Sequence, residues 1–286
     1  MATAGAFRVV AGRVTFSSMS DLAALERHLG TFGRLLLGYS GGVDSALLAV
    51  AGARALGPDR FLAVLGRSPS VPAAQLESAR ALAATHAVPL LEIDTFELDD
   101  PAYRANPENR CYFCKRELWS RLAAVAAARG FDAIADGTNA DDLADHRPGV
   151  RAADERGIRS PLAELGWRKP HIRAVSQALG LATWNQPAAP CLASRIRYGL
   201  PVTAERLRQV ESGEAFLRGL GIEGDLRVRH HDAVATIEVR PGATAIVEAS
   251  WHALVAHFAE LGFDDVRLDP RGYRRGALLD VLDAPG

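Results

Sequence analysis

Over roughly the first 180 residues the chain alternates short apolar runs with longer stretches of helical spacing, the pattern of a parallel sheet covered on both faces. The apolar runs at 34–39, 60–66, 89–94 and 131–136 read as strands, with a weaker candidate near Ile158. Ser20 reads as the N-cap of a first helix ending at Gly30, and a helix over 44–56 closes at Gly57. Alanine-rich helices follow at 71–86 and 113–129, the second stopped by Gly130. Between 183 and 201 the pattern breaks, because Pro187, Pro190 and Pro201 exclude a long regular element. Beyond it come a helix over 203–220, alternating residues at 226–231 and 236–240, a helix over 244–261, and strand-like runs at 266–268 and 278–282. That order predicts a small α+β unit with an antiparallel sheet. The expected division is therefore an α/β domain over 1–185, a loop or linker over 186–200, and an α+β domain over 201–286.

Composition narrows the function classes. A length of 286 residues suits about two domains, and 48% hydrophobic with 23% charged residues supplies a full core. A formal net charge of −1 argues against a generally basic nucleic-acid binder. No segment approaches the ~20 uncharged apolar residues of a membrane span, and no signal-peptide run opens the chain, so a cytoplasmic protein is expected. With only 3 cysteines, two of them three residues apart, a disulfide framework is improbable and ligands or reagents are the better reading.

The strongest chemical signal lies at 37–45, Leu-Gly-Tyr-Ser-Gly-Gly-Val-Asp-Ser, where an apolar strand runs through two glycines into a helix. Gly41 and Gly42 let the backbone approach an anion, the helix start offers free N–H groups and its positive dipole end, and Ser40 and Ser45 add hydroxyl donors. The chain has no Gly-Lys-Ser/Thr, and this loop is not a G-x-G-x-x-G. Lysine occurs only at 115 and 169, so no lysine is expected to reach phosphates from this loop. The bland alternative is a glycine-rich strand-to-helix turn. It does not account for Ser, Gly, Gly, Asp and Ser together at the carboxyl end of an apolar strand, where open α/β sheets bind ligands.

A second signal is Arg110-Cys111-Tyr112-Phe113-Cys114-Lys115, which sets two thiols at i, i+3 on the first turn of a helix, sharing a face. The helix dipole with Arg110, Lys115 and Arg116 is expected to favour thiolate. Cys191 lies in Pro190-Cys191-Leu192-Ala193-Ser194-Arg195, inside the irregular stretch and close to Arg195. Three readings stay open for these thiols. They can simply pack, they can hold structural zinc with His146 or His171 as a fourth ligand, or they can hold an iron–sulfur cluster with one iron open to an outside sulfide.

Ser40-Gly41-Gly42-Val43-Asp44-Ser45 resembles the pyrophosphate loop of the ATP pyrophosphatases. Together with Cys-Tyr-Phe-Cys-Lys, Asp136-Gly137-Thr138-Asn139-Ala140-Asp141-Asp142, Arg159-Ser160-Pro161-Leu162 and Pro190-Cys191-Leu192-Ala193-Ser194-Arg195, it occurs in the order seen in the LarE family. Those are ATP-dependent sulfur transferases that help to build the nickel-pincer nucleotide cofactor of lactate racemase. The resemblance runs from about residue 15 to beyond 240 and implies a Rossmann-like parallel sheet of the adenine nucleotide alpha hydrolase type. It implies that a carboxylate of a pyridinium dicarboxylate mononucleotide is adenylated by ATP with loss of pyrophosphate, and that sulfur then displaces AMP.

By that resemblance Ser40, Gly41, Gly42, Asp44 and Ser45 hold the phosphates, with Asp44 positioning Mg2+ and Asp141 or Asp142 as further magnesium ligands. Gly137, Thr138 and Asn139 reach the nucleotide or acyl-adenylate, and Ser68 faces adenine or ribose. Solvated carboxylates at a helix start are the bland reading of the aspartates. Cys191 matches the cysteine that some relatives sacrifice as sulfur donor. Relatives keeping the Cys-x-x-Cys pair instead use all three thiols for a [4Fe-4S] cluster carrying a renewable sulfide, the mechanism favoured for Cys111, Cys114 and Cys191. Arg195 is expected to steady a substrate phosphate or carboxylate, Glu214 to lie near the substrate, and Trp184 to stack on the pyridinium ring or pack in the core. Arg227 and Arg229 are candidates for the mononucleotide phosphate, with solvent-facing strand arginines as the alternative. The resemblance also implies a homo-oligomer, a hexamer among the candidates, acting on a small-molecule nucleotide without nucleic acid or membrane.

Rival readings remain at this level. A tRNA thiolase also joins a pyrophosphate loop to paired cysteines, but this chain shows no basic stripe with interleaved aromatics. An amidating ligase of the NAD- or GMP-synthetase kind has no use for three cysteines. A non-catalytic nucleotide sensor predicts ATP binding without pyrophosphate release.

Overall fold

The computed structural model describes residues 16–143, 152–187 and 190–274. Four strands, β1 (Leu35–Tyr39), β2 (Phe61–Arg67), β3 (Leu90–Asp94) and β4 (Ala133–Ala135), form one sheet in the order β3-β2-β1-β4, with every pairing parallel. This is the expected α/β architecture. The weak candidate near Ile158 is reduced to one parallel bridge, Ala135 to Arg159, at the β4 edge.

Alternation along the strands explains the layering, since successive side chains point to opposite faces. Leu35, Leu37 and Tyr39 of β1, with Phe61, Ala63 and Leu65 of β2, pack into the core shared with helices α1 (Phe16–Gly30), α2 (Val43–Leu56) and α3 (Ala73–Thr85). Leu36, Leu62 and Val64 face the other way, onto Trp119, Leu122 and Ala126 of the long helix α5 (Arg110–Arg129). The short α4 (Pro101–Arg104), capped by the Asp100 side chain, precedes it. After β4 come the helices α6 (Ala140–Leu143), α7 (Pro161–Glu164) and α8 (Lys169–Ala178), and α8 contributes Ile172 and Val175 to the first core. Helix α1 begins at Phe16, so Ser20 lies within it and not at its cap.

The C-terminal part carries α9 (Ala204–Gly219), β5 (Leu226–His231), β6 (Val234–Val239), α10 (Thr244–Ala249), α11 (Trp251–Glu260) and β7 (Asp265–Leu268). Its core, including Leu217, Val228, Ile237, Leu254 and Phe258, is separate from the other two. The sheet order is β5-β6-β7, antiparallel between β5 and β6 but parallel between β6 and β7, so the expected antiparallel sheet is in fact mixed. The reason lies in the connections. A tight turn at Asp232, with φ 64°, reverses the chain after β5, whereas a helical crossover after β6 returns it in the same direction. That crossover is two helices meeting at Ser250, not the single helix expected. The run at 278–282 lies outside the described residues.

Residues 190–203 form the seam between the two sheets. Leu192 N–H donates to Ser70 O at 2.8 Å, in the turn after β2, and Arg197 N–H to His230 O at 3.2 Å on β5. Val202 N–H bonds Arg104 O at 2.9 Å, and a parallel bridge joins Ile196 to His230. Among the described residues no helix is long and apolar enough to cross a membrane.

Candidate active site

The loop between β1 and α2 is built from its own hydroxyls. Ser45 Oγ accepts from Ser40 N–H at 3.2 Å and lies 3.1 Å from Ser40 Oγ and 3.2 Å from Gly42 O. Gln75 on α3 donates from Nε2 to Ser40 O at 3.0 Å, tying the loop to its neighbour helix. Gly41 has φ +75°, and a Cβ there would sit 2.7 Å from Ala79 Cβ, so glycine is required both for conformation and for the approach of α3. Gly137 also comes close, from β4's side, where a Cβ would lie 3.1 Å from Ser45 N. Two segments far apart in sequence thus meet at the start of α2.

At this point stands a residue that the sequence reading placed out of reach. Lys169, the first residue of α8, sets its Nζ 2.5 Å from Asp44 Oδ2, so a lysine does come to the loop, delivered by another helix. Its backbone N–H donates to Asp141 Oδ2 at 2.8 Å. Asp44 Oδ1 is buried and has no hydrogen-bond partner among the described residues. Burial pushes the Asp44 carboxyl above the ordinary carboxylate range, and the negative field of Asp142 adds to this while Lys169 opposes it.

The Asp136-to-Asp142 segment is internally braced. Asp136 accepts from Thr138 N–H at 3.0 Å, from Thr138 Oγ1 at 2.7 Å and from Ser160 Oγ at 2.8 Å. Asn139 is fully buried, its Nδ2 donating to Asp142 Oδ2 at 2.6 Å and its Oδ1 accepting from Asp141 N–H at 2.9 Å. The polar atoms of Thr138 and Asn139 therefore hold the turn beside the loop. Ser68 closes the turn after β2, its Oγ accepting from Ser70 N–H at 3.1 Å.

The three thiols are free and share one neighbourhood. Cys114 and Cys191 pack against the same apolar cluster, with Tyr103, Leu192, Ala193 and Ile196. Contrary to the thiolate expected from the helix dipole and nearby cations, burial pushes the Cys114 thiol well up, reinforced by Glu97 and by Cys191. Cys111 is the most open of the three, yet desolvation and the Cys191 thiol raise it against the pull of Arg110 and Lys115. Among the described residues no three of His, Cys, Asp and Glu are grouped as a ready metal site. As a donor type, thiols are soft and suit iron and sulfide. Of the two histidines named as alternative ligands, His171 stacks on Trp167 at 4.2 Å and lies 2.9 Å from Asp21, while His146 lies outside the described residues.

Asn106, which sequence reasoning missed, and Arg110, named there only as a nearby charge, join the cysteine helix to the Cys191 turn. Arg110 is 2% exposed and donates to Ala193 O at 2.8 Å and to Asn106 Oδ1 at 2.5 Å. Asn106, fully buried at φ 53°, donates onward to Ile196 O, Arg197 O and Leu200 O. Paired amide and guanidinium donors left no periodic signal.

The arginines near Cys191 divide by role. Arg195 is buried, paired with Glu214 through two bonds of 2.9 and 3.1 Å, and donates to Pro190 O, Cys191 O and Ser194 Oγ. It grips the chain on either side of the thiol, and Glu214 is its counterion. Arg229 is paired with Glu238 at 3.0 and 2.9 Å and donates to Ser194 O at 3.0 Å. Arg227 is 6% exposed, donates to its own strand at Leu226 O and lies 5.0 Å over the Tyr273 ring, with no carboxylate in ion-pair range among the described residues. Burial lowers its pKa, and the Arg195 charge lowers it further. Neither strand arginine is the solvent-facing residue weighed as the alternative. Trp184 is half-buried and contributes its carbonyl to Arg173.

Comparison with known proteins places these features. The NAD synthase family matches residues 25–126, the stretch holding the glycine loop and the cysteine helix. An uncharacterized protein of Synechocystis sp. is 44% identical over 265 residues, 92% of this chain and 98% of its own. The pyridinium-3,5-bisthiocarboxylic acid mononucleotide synthase of Lactiplantibacillus plantarum is 33% identical over 260 residues, 91% of this chain and 94% of its own. An uncharacterized protein of Methanocaldococcus jannaschii is 29% identical over 241 residues, 84% of this chain and 91% of its own.

Proposed function

The chain belongs to the LarE family of sulfur-transferring enzymes, and from that premise we propose that it adenylates a carboxylate of a pyridinium dicarboxylate mononucleotide, releasing pyrophosphate, and converts it to a thiocarboxylate with loss of AMP. The reading is carried by one observation. The Cys191 turn is gripped by Arg195 and Arg110, shares a cluster with Cys114, and is bonded through Leu192 to the turn after β2, on the sheet whose neighbouring strand leads into the pyrophosphate loop.

In this scheme Ser40, Gly41, Gly42 and Ser45 take the ATP phosphates, and Asp44 with Asp142 supplies hard oxygens for Mg2+. Gly137, Thr138 and Asn139 shape the floor beside them, and Ser68 stands where the adenosine would extend. Arg227, buried with no ion-pair partner among the described residues, and Arg229 receive the mononucleotide phosphate. Arg195 positions the thiol and does not touch substrate. Cys111, Cys114 and Cys191 would hold a [4Fe-4S] cluster, whose open iron supplies a renewable sulfide. The buried thiols must lose protons for this, which makes assembly pH-dependent. Separate cores support a division at the 186–200 segment into two domains. The same premise extends to a cytoplasmic homo-oligomer acting on a small nucleotide.

The test is a pyrophosphate-release assay with the mononucleotide as acceptor, run on anaerobically purified protein. Release that requires the acceptor, persists in Cys191→Ser and yields no thiocarboxylate there is the expected result. Release independent of acceptor, or full thiocarboxylate formation by Cys191→Ser, would overturn the scheme. Iron and sulfide content checks the sulfur source, since colourless protein that loses hydrogen sulfide from Cys191 on turnover would mark that cysteine as the donor.

A further inference from the structure

The pyrophosphate loop has no lysine of its own, yet its acidic residue is met by one. In a chain where lysine and arginine together number 33, only Lys115 and Lys169 are lysine. Lys115 is engaged elsewhere, 5.1 Å from the Trp119 ring on the same helix. Lys169 reaches across 125 positions of sequence to Asp44, on the first turn of the helix that follows the glycines. An arginine's rigid fork binds two oxygens in one plane, whereas an ammonium is a point charge on a flexible stem that can exchange partners.

Three further details fit a lysine that moves its head while its base stays fixed. Asp141 holds the Lys169 backbone N–H, and Pro170 follows it in the first turn of α8. The Lys169 side chain is 37% exposed, so its end is not locked by packing, while the Asp44 side chain is 20% exposed. The carboxylate also pairs incompletely, because Oδ1 is buried without a hydrogen-bond partner among the described residues. An ion pair of this kind neutralises the loop while it is empty, and a polyphosphate arriving at the N–H groups of Gly41, Gly42 and Val43 offers the ammonium a stronger anion.

We propose that Lys169 is the mobile cation of this pyrophosphate loop, resting on Asp44 in the ligand-free chain and transferring to the β and γ phosphates when ATP binds. The proposal rests on the loop being a nucleotide site, and it assigns to α8 the charge that other phosphate loops carry internally. When Lys169 leaves, Asp44 regains a free carboxylate for the metal that accompanies ATP. One residue thereby couples nucleotide arrival to exposure of that carboxylate.

The experiment is calorimetric titration in EDTA with α,β-methylene-ATP and, separately, AMP. Lys169→Met is expected to weaken the analogue about 10- to 100-fold, the scale of one charge-assisted contact, and to change AMP binding less than about twofold. Lys169→Arg should retain most of the affinity. Asp44→Asn frees the lysine and should tighten analogue binding, and that gain should shrink in Asp44→Asn/Lys169→Met. Equal weakening of analogue and AMP, or none, would overturn the proposal, as would a gain of the same size in the double variant. These readings need no catalysis. A wild-type protein that binds the analogue as described but never releases pyrophosphate would refute the sulfur-transfer scheme and leave this assignment standing.

Discussion

Gly41 and Gly42 are neighbours in sequence and differ in what they demand. Gly41 sits at φ +75° with α3 pressed against it, so Gly41→Ala costs both a left-handed conformation and a clash with Ala79. A loss of about 2 kcal/mol, or roughly 4–8 °C in melting temperature, is expected in a thermal scan. Gly42 has φ −73°, and its Cβ would meet only Ser40 Oγ at 3.5 Å, so Gly42→Ala should melt within about 1 °C of wild type. Equal destabilisation by the two variants would contradict this account of the loop. The contrast also marks what a sequence discloses. The glycine loop was legible because its chemistry is contiguous. Lys169 was not, because its partner lies 125 residues away and no periodicity links α8 to α2. The thiol ionisation was misjudged for the same reason, since dipole and flanking charge are local features but the burial that outweighs them is tertiary.

At the scale of elements, α5 and the Cys191 turn are joined by buried polar groups and not by apolar contact alone. Replacing Arg110 by Met leaves Asn106 Oδ1 and Ala193 O without their donor, at a cost of about 2–4 kcal/mol, and loosens the turn that carries Cys191. Arg110→Met should therefore lower the denaturant midpoint and the iron bound after anaerobic reconstitution together, while Arg110→Lys recovers part of both. Unchanged iron with reduced stability would assign Arg110 to folding only. Strand β5 gives a pH prediction. Burial, aided by the Arg206 charge, drops His230 to about 4, and burial lowers His231 as well. The unfolded imidazoles bind protons that the folded ones refuse. Their contribution to stability is therefore complete above the ordinary histidine pKa of about 6.5 and is lost as pH falls from there toward 4. Stability should fall by about 1 kcal/mol per pH unit between pH 6 and 5 from His230 alone. A flat profile over that range would show that His230 is accessible to protons. The four strands of the first sheet and most helices were legible from periodicity, whereas the parallel β6–β7 pairing was missed because a short strand carries no mark of its direction.

Across the whole molecule the charges nearly cancel, with a formal net charge of −1, so any local excess acts without a general field to mask it. Such an excess lies at the seam, where Arg195 and Arg229 have carboxylates and Arg227 has none in range among the described residues. A buried guanidinium without a counterion costs stability in the empty protein and is repaid only when an anion binds. The sign of a substitution should consequently reverse with ligand. Arg227→Gln is expected to melt at or above the wild-type temperature in phosphate-free buffer, because it removes a guanidinium that is 6% exposed and has no ion-pair partner among the described residues. Inorganic phosphate should then raise the wild-type melting point in a saturating manner, by about 2.7 kcal/mol of added stability at 100 times its dissociation constant, and leave the variant unmoved. Because β5 and the 190–203 segment meet at this point, that stabilisation should reach both sheets and sharpen a single unfolding transition. A variant that is destabilised without phosphate, and still stabilised by it, would mean that Arg227 is a structural strand residue and that the mononucleotide phosphate is held elsewhere.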